Sequence, residues 1–269
     1  IQANLVKRNN ITVVGDSGPV LVYAHGFGCN QNMWSRVTPA FQATHRQVLF
    51  DYVGSGGSEI GAFNTSKYST LPGYVDDLMD VCNALDIHSD ATFIGHSVSC
   101  SIGMLASIAK PQLFSKMILL GPNPCFVNHL PLYTGGFEKA DLEGLLELMD
   151  QNYLGWANYL APIVSSQDAQ GGVTVELSNS FCSTDPTTAS AFAHATFFAD
   201  NRDDLRKVTC PSLILQHRHD ALAPVSVGEY MHSQMPASTL KGLEVSGHCA
   251  HMSHPDLVAR AIADCIAAR

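Results

Sequence analysis

Basic residues are scarce. Fifteen lysines and arginines stand against 24 aspartates and glutamates, a net charge of −9 over 269 residues. With no Lys/Arg-rich stretch to override it, this balance argues against nucleic acid and anionic membranes as partners. No apolar run is long enough to span a bilayer, and no signal-peptide pattern precedes the first expected strand. Cysteine is present but unpaired in pattern: Cys29, Cys82, Cys100, Cys125, Cys182, Cys210, Cys249 and Cys265 include no Cys-x-x-Cys. That distribution reads as reduced thiols in a cytoplasmic protein, with disulfides the weaker account. The triplets Asn10-Ile11-Thr12 and Asn64-Thr65-Ser66 then read as chance matches to a glycosylation signal. Internal repeats and low-complexity tracts are also lacking, which excludes a solenoid and a long disordered linker.

What is there is apolar residue and histidine. At 46% apolar and 14% charged, a chain of this length buries a substantial core and fits one α/β domain with an insertion. Twelve histidines make its charge sensitive to mildly acid pH. Strands are expected at 10–14, 19–24, 47–51, 91–94, 116–120, 212–216 and 238–245, most of them short apolar runs with little alternation, the pattern of strands covered on both faces. Helical periods separate them. Between 71 and 85, Leu71, Tyr74, Val75, Leu78, Val81, Cys82 and Leu85 share one face, and further helices are expected at 101–109, 225–235 and 255–268. The alternation predicts a mostly parallel, doubly wound sheet with ligands beyond the carboxyl ends of its strands.

From about 123 to 200 the alternation stops. Helical stretches at 138–150, 153–164, 173–181 and 187–198 replace it, with Gly135-Gly136 and Gly171-Gly172 as bends. The expected organisation is a core of 1–122 and 201–269 with a helical cap, 123–200, that excludes water and shapes a pocket.

The chemistry centres on Gly95-His96-Ser97-Val98-Ser99. An apolar run stops at Gly95 and delivers Ser97 on a Gly-x-Ser-x-small turn, the pattern of a strand-to-helix elbow that exposes a nucleophile. Ser99 stands where the pattern has a second glycine. A hydroxyl needs a base and oxyanion donors to react at neutral pH. The order serine, aspartate, histidine on loops after later strands selects Asp220 and His248, with His248 as general base and Asp220 fixing its tautomer. The loop His25-Gly26-Phe27-Gly28 follows a strand, so the oxyanion donors are expected to be the main-chain N–H groups of Phe27 and Val98.

Other residues compete. His217 with His219, and His248 with His251 and His254, have spacings a metal could use, but no cysteine pair or Glu motif accompanies them, and neither metal nor cofactor is expected. His96 is expected to pack within the elbow. Asp51, a rival third member, is expected to order the loop Gly54-Ser55-Gly56-Gly57. Aromatic and aliphatic residues of the cap, Phe126, Phe137, Trp156, Tyr159, Leu160, Phe192 and Phe197, are candidates with Phe27 for an apolar pocket.

The strings from His25 to Gln31, Asp51 to Gly56, Gly95 to Ser99, Gly135 to Phe137, Phe181 to Pro186 and Gly247 to Pro255 resemble the α/β-hydrolase family. The nearest likeness is to the bacterial stress-response regulator RsbQ, followed by the plant strigolactone and karrikin receptors. The resemblance implies an α/β-hydrolase core, a V-shaped cap of four helices over an apolar pocket, and a triad at Ser97, Asp220 and His248. Ser99 matches the plant receptors, where the bacterial regulator has glycine. Two functions follow as expectations. One is a carboxylesterase-type serine hydrolase that cleaves a small apolar ester or lactone through an acyl-enzyme on Ser97. The other is a signalling receptor that hydrolyses a small molecule slowly and acts on a protein partner. Cofactor-free lyase or perhydrolase chemistry is a third option, because one fold hosts many reactions.

Overall fold

The computed structural model describes residues 2–268. Seven strands, β1 (Thr12–Val14), β2 (Val20–Ala24), β3 (Arg46–Leu49), β4 (Ala91–His96), β5 (Phe114–Leu120), β6 (Ser212–His219) and β7 (Ser238–Ser246), form one sheet in the order β1-β3-β2-β4-β5-β6-β7. β1 runs antiparallel to β3, and every other pairing is parallel. The continuous apolar runs are explained by cover on both faces. Leu21 and Tyr23 of β2 enter one hydrophobic cluster, and Val22 and Ala24 enter another on the opposite face. In β5, Ile118 and Leu120 join the first and Met117 and Leu119 the second, the two-residue period of a strand.

Ten helices are described: α1 (Ala3–Arg8), α2 (Leu71–Ala84), α3 (Val98–Ala109), α4 (Lys139–Gln151), α5 (Tyr153–Ser165), α6 (Gly172–Ser183), α7 (Pro186–Phe197), α8 (Val225–Gln234), α9 (Ala250–Ser253) and α10 (Pro255–Ala267). Helices α2, α3 and α8 cover one face through residues such as Leu78, Ile102 and Met231. α10 covers the other through Val258, Ala261 and Ile262. α1 has no buried residue, so no apolar period announces it in the sequence. It is tied down instead by Arg8, which pairs with Asp80 at 2.9 Å and reaches the buried Asp77 at 3.7 Å. The first strand starts two residues later than expected because Asn10 adopts a left-handed φ of 46° and turns its side chain to Asp51.

Between β5 and β6 the chain runs through α4–α7. Where this stretch begins and ends, Cys125 bridges to Asp200 and Asn201 N–H donates to Pro124 O at 2.8 Å. Its residues Leu146, Trp156, Leu160, Leu177 and Phe197 merge with sheet residues in a single hydrophobic cluster. The sheet order reverses direction at β2: the chain passes to β3 on one side and then to β4 on the other. Such a reversal opens a crevice at the carboxyl ends of the two diverging strands, and the loops after β2 and β4 both begin there.

Candidate active site

Ser97 occupies the residue between β4 and α3 with φ 56° and ψ −119°. A non-glycine residue held there costs about 1–3 kcal/mol and persists only where its surroundings enforce it. Here Ser97 N–H donates to Leu120 O at 2.9 Å, and Cys100 N–H returns a bond to Ser97 O at 2.9 Å. Gly95 makes the turn possible, since a Cβ there would lie 2.6 Å from the ring of Phe93. The helix therefore starts at Val98, three residues earlier than its apolar period suggests.

The structure brings the other expected groups to the same place. Asp220, just beyond β6, accepts a hydrogen bond from His248 Nδ1 at 2.7 Å. Its second oxygen accepts from the main-chain N–H groups of Leu222 (2.9 Å) and Ala223 (3.2 Å). Burial works to raise the Asp220 pKa, but the charge of His248 and the bonds from His217 and His248 overcome it and hold the carboxyl well below its ordinary range. Asp220 is thus ionised and can only accept, so the His248 proton resides on Nδ1 and leaves Nε2 as the free base. That Nε2 is buried with no hydrogen-bond partner, and His248 and Ser97 line one cavity. No hydrogen bond joins Nε2 to the Ser97 hydroxyl, a contact that commonly tightens only when substrate is bound.

Phe27 follows β2. Neither its main-chain N–H nor that of Val98 has an acceptor among the described residues, so two donors remain free near Ser97. The loop carrying Phe27 is fixed from both sides. His25 Nδ1–H donates to Gly26 O at 2.8 Å, and its Nε2 accepts from Tyr52 N–H at 3.2 Å. This is the neutral imidazole that burial favours by pushing its pKa down. Ser99 explains the departure from glycine in the elbow. Its hydroxyl donates to His25 O at 2.5 Å and accepts from Tyr52 OH at 2.7 Å, joining α3 to the loop. His96 packs as expected, donating from Nε2 to His248 O at 2.8 Å. Asp51 makes no hydrogen bond to an imidazole among the described residues; it accepts from Gln31 N–H and Gly57 N–H at 2.8 and 2.9 Å, and so orders both loops.

The cavity over Ser97 is small, about 30 Å³. Of the candidate lining residues, Phe27, Phe126, Leu160 and Phe197 face it. The other four do not. Tyr159 is 58% exposed on the outside of α5, one position and therefore about 100° around the helix from Leu160. Trp156 lies behind the wall, its ring 5.9 Å from that of Phe27. Phe192 stacks on Tyr74 at 4.1 Å, clamping α7 to α2, and Phe137 is half-buried beside Phe126. Residues not singled out from the sequence complete the wall: Cys29, Val164, Leu177, Phe181, Thr196, Leu222 and Cys249. Phe181 seats against Gly28, where any Cβ would collide with its ring. Thr196 Oγ1 is the polar exception, buried and unpartnered. Burial pushes the Cys29 thiol up to about 12 and that of Cys249 well above its ordinary value, so both behave as apolar lining.

Two groups have metal-ligand spacing, with ligand atoms within 4.8 Å of one another: His217 with Asp220 and His248, and Cys125 with His129 and Asp200. In the first, Asp220 already takes both imidazole protons. In the second, Asp200 is held by Arg202 at 2.7 and 2.9 Å. His219 and His254 are exposed and join neither. No helix among the described residues is long and apolar enough to cross a membrane, and all eight cysteines are free thiols.

Comparison with known proteins agrees with this fold. A strigolactone esterase of Pisum sativum is 37% identical over 251 residues, 93% of each chain. A karrikin insensitive receptor of Petunia hybrida is 34% identical over 253 residues, covering 94% of this chain and 93% of its own. The solved structure of a hydrolase from Oleispira antarctica superposes with a TM-score of 0.95 at 43% identity, covering 99% of this chain and 97% of that one. Residues 21–261 match the family model described as the alpha/beta hydrolase family, and the chain belongs to that family.

Proposed function

We propose that the protein is a serine hydrolase of the carboxylesterase type, acting on a small apolar ester or lactone. The observation that carries this reading is the meeting, on one buried cavity, of a strained Ser97 with a histidine whose Nδ1 is engaged by an ionised aspartate and whose Nε2 is free. In the proposed reaction, His248 Nε2 takes the Ser97 proton as Oγ attacks the carbonyl carbon. The Phe27 and Val98 N–H groups hold the oxyanion. His248 then gives the proton to the departing alcohol, leaving an acyl group on Ser97, and water activated by the same nitrogen releases the acid. The 123–200 segment acts as a cap whose apolar residues exclude water, and no cofactor takes part. The protein works in the cytoplasm, away from nucleic acid and membrane. Hydrolysis of 4-nitrophenyl acetate that disappears in Ser97→Ala supports the assignment; equal rates for the two proteins would refute it.

A second reading, a receptor whose slow hydrolysis accompanies signalling to a protein partner, is favoured by one feature. The cavity is small, about 30 Å³, and Leu160, Leu177, Phe181 and Phe197 of the cap wall it, so a ligand on Ser97 would press on the cap and couple occupancy to cap conformation. Its test is ligand-dependent capture of a defined partner by the folded protein, with turnover much slower than ligand binding.

A further inference from the structure

Asp220 serves two imidazoles. Its Oδ2 accepts from His248 Nδ1 at 2.7 Å and also from His217 Nδ1 at 3.2 Å. His217 is the sixth residue of β6 and is wholly buried. Its Nε2 has no partner, so the bond to Asp220 is its side chain's single polar attachment among the described residues. A carboxylate oxygen accepts two donors readily, but the charge it offers to each is then divided.

The geometry points to His217 as a positioning residue for the proposed hydrolase: through Asp220 Oδ2 it fixes the carboxylate against His248 and limits how strongly that carboxylate stabilises the His248 imidazolium formed during turnover. The inference rests on the triad reading and deepens it. With the two main-chain donors on the other oxygen, Asp220 is held by four hydrogen bonds, and rotation of the carboxylate would break all of them. His217 is not among the residues that line the cavity, and its one side-chain hydrogen bond goes to Asp220, so its route to the reacting atoms runs through that carboxylate. The titratable groups facing it are Asp220, His248 from the loop after β7, His96 at the end of β4 and His251 on α9. All are imidazoles except Asp220, so the carboxylate is the single negative charge of the cluster. His248 and His217 cannot both be protonated without repulsion that this one charge must offset.

The discriminating substitutions differ in where they place a donor. Asn has its amide nitrogen near the position of an imidazole Nδ1, Gln extends beyond it, and Ala has none. In His217→Ala and His217→Gln, kcat for 4-nitrophenyl acetate is expected to fall roughly tenfold, by analogy with the loss of a group that orients a functional imidazole, with KM little changed. The acid limb of the kcat/KM profile is expected to move to higher pH as the undivided carboxylate makes His248 more basic. His217→Asn is expected to restore both rate and profile. If His217→Ala fails to fold, the Gln and Asn pair gives the same comparison. Wild-type kinetics and pH profile in the Gln variant would overturn the inference, as would an Asn variant as impaired as the Gln one. Reaction of the wild type with a fluorophosphonate separates the two levels. Failure to modify Ser97 would overturn the hydrolase reading and the role of His217 with it, whereas normal modification with an indifferent His217→Gln would overturn the role of His217 alone.

Discussion

Mild acid is expected to destabilise this protein steeply, because three imidazoles are buried in neutral form. His25, His96 and His251 are each lowered from 6.5, in every case chiefly by burial. Nearby His251 and His248 add to the effect at His96, His217 and His248 add to it at His251, and Asp51 opposes it at His25. The unfolded chain binds protons at these residues below about pH 6.5 and the folded chain does not, so their contribution is complete above that pH and is lost as pH falls toward the lowered folded values. His96 and His251, held well below 6.5, each contribute a slope approaching 1.4 kcal/mol per pH unit, together about 3 kcal/mol per unit and roughly 4 kcal/mol between pH 7 and 5, and His25 adds in the same direction. Asp220 stays ionised across this window. Asp77, whose carboxyl is raised by burial, offsets the trend by at most one proton. A loss of several kcal/mol rivals the whole stability of an ordinary domain. Urea unfolding followed by tryptophan fluorescence between pH 7.5 and 5 measures it, with Trp34 a local reporter because its ring lies 4.5 Å from that of His251. His251→Leu is expected to flatten the slope by about 1.4 kcal/mol per pH unit. An unfolding midpoint that does not change from pH 7.5 to 5, or a variant with the wild-type slope, would refute the reasoning.

Three further outcomes are expected. Ser99→Ala strands the buried His25 carbonyl and the Tyr52 hydroxyl, so it is expected to cost about 1–3 kcal/mol in denaturant unfolding and to lower kcat by loosening the loop that carries Phe27. Thr196→Val replaces an unpartnered buried hydroxyl by a methyl of the same shape and is expected to raise stability by about 1 kcal/mol; a loss of stability would reveal a partner for that oxygen. Phe181→Ala is expected to cost about 3–5 kcal/mol and to raise the ratio of kcat/KM for 4-nitrophenyl butanoate over acetate, because it enlarges the cavity beside Gly28; an unchanged ratio would place the limiting wall elsewhere.

Much of this was legible in the residues because strand ends are legible. Ser97, Asp220 and His248 each follow a strand, β4, β6 and β7, and parallel strands send all such ends to one edge of the sheet. The pocket was less legible. Aromatic residues recur through the 123–200 segment, but only the rotation of α5 tells Leu160, which faces the cavity, from Tyr159, which faces solvent. Trp156, Leu160 and Val164 are four apart and all buried, a spacing that identifies the inner face without reference to residue type. Phe192 and Trp156 escaped a correct placement for another reason: a ring can pack as well against a neighbouring helix as against a ligand. His217 drew attention as half of a His-x-His pair, whereas its partner is Asp220, three residues on, reached because β6 ends between them. The bond from Ser99 to His25 joins residues 74 apart in sequence, and no local pattern announces it.

The central claim is that Ser97 becomes covalently acylated with His248 as its base. Rapid quenching of the protein mixed with 4-nitrophenyl acetate, followed by peptide mapping by mass spectrometry, tests it most directly. The expected result is an acetyl group on the peptide containing Ser97 in the wild type, and none there in Ser97→Ala or His248→Ala. Turnover with no acetyl group on Ser97, or acetylation that persists at the wild-type rate without His248, would contradict it.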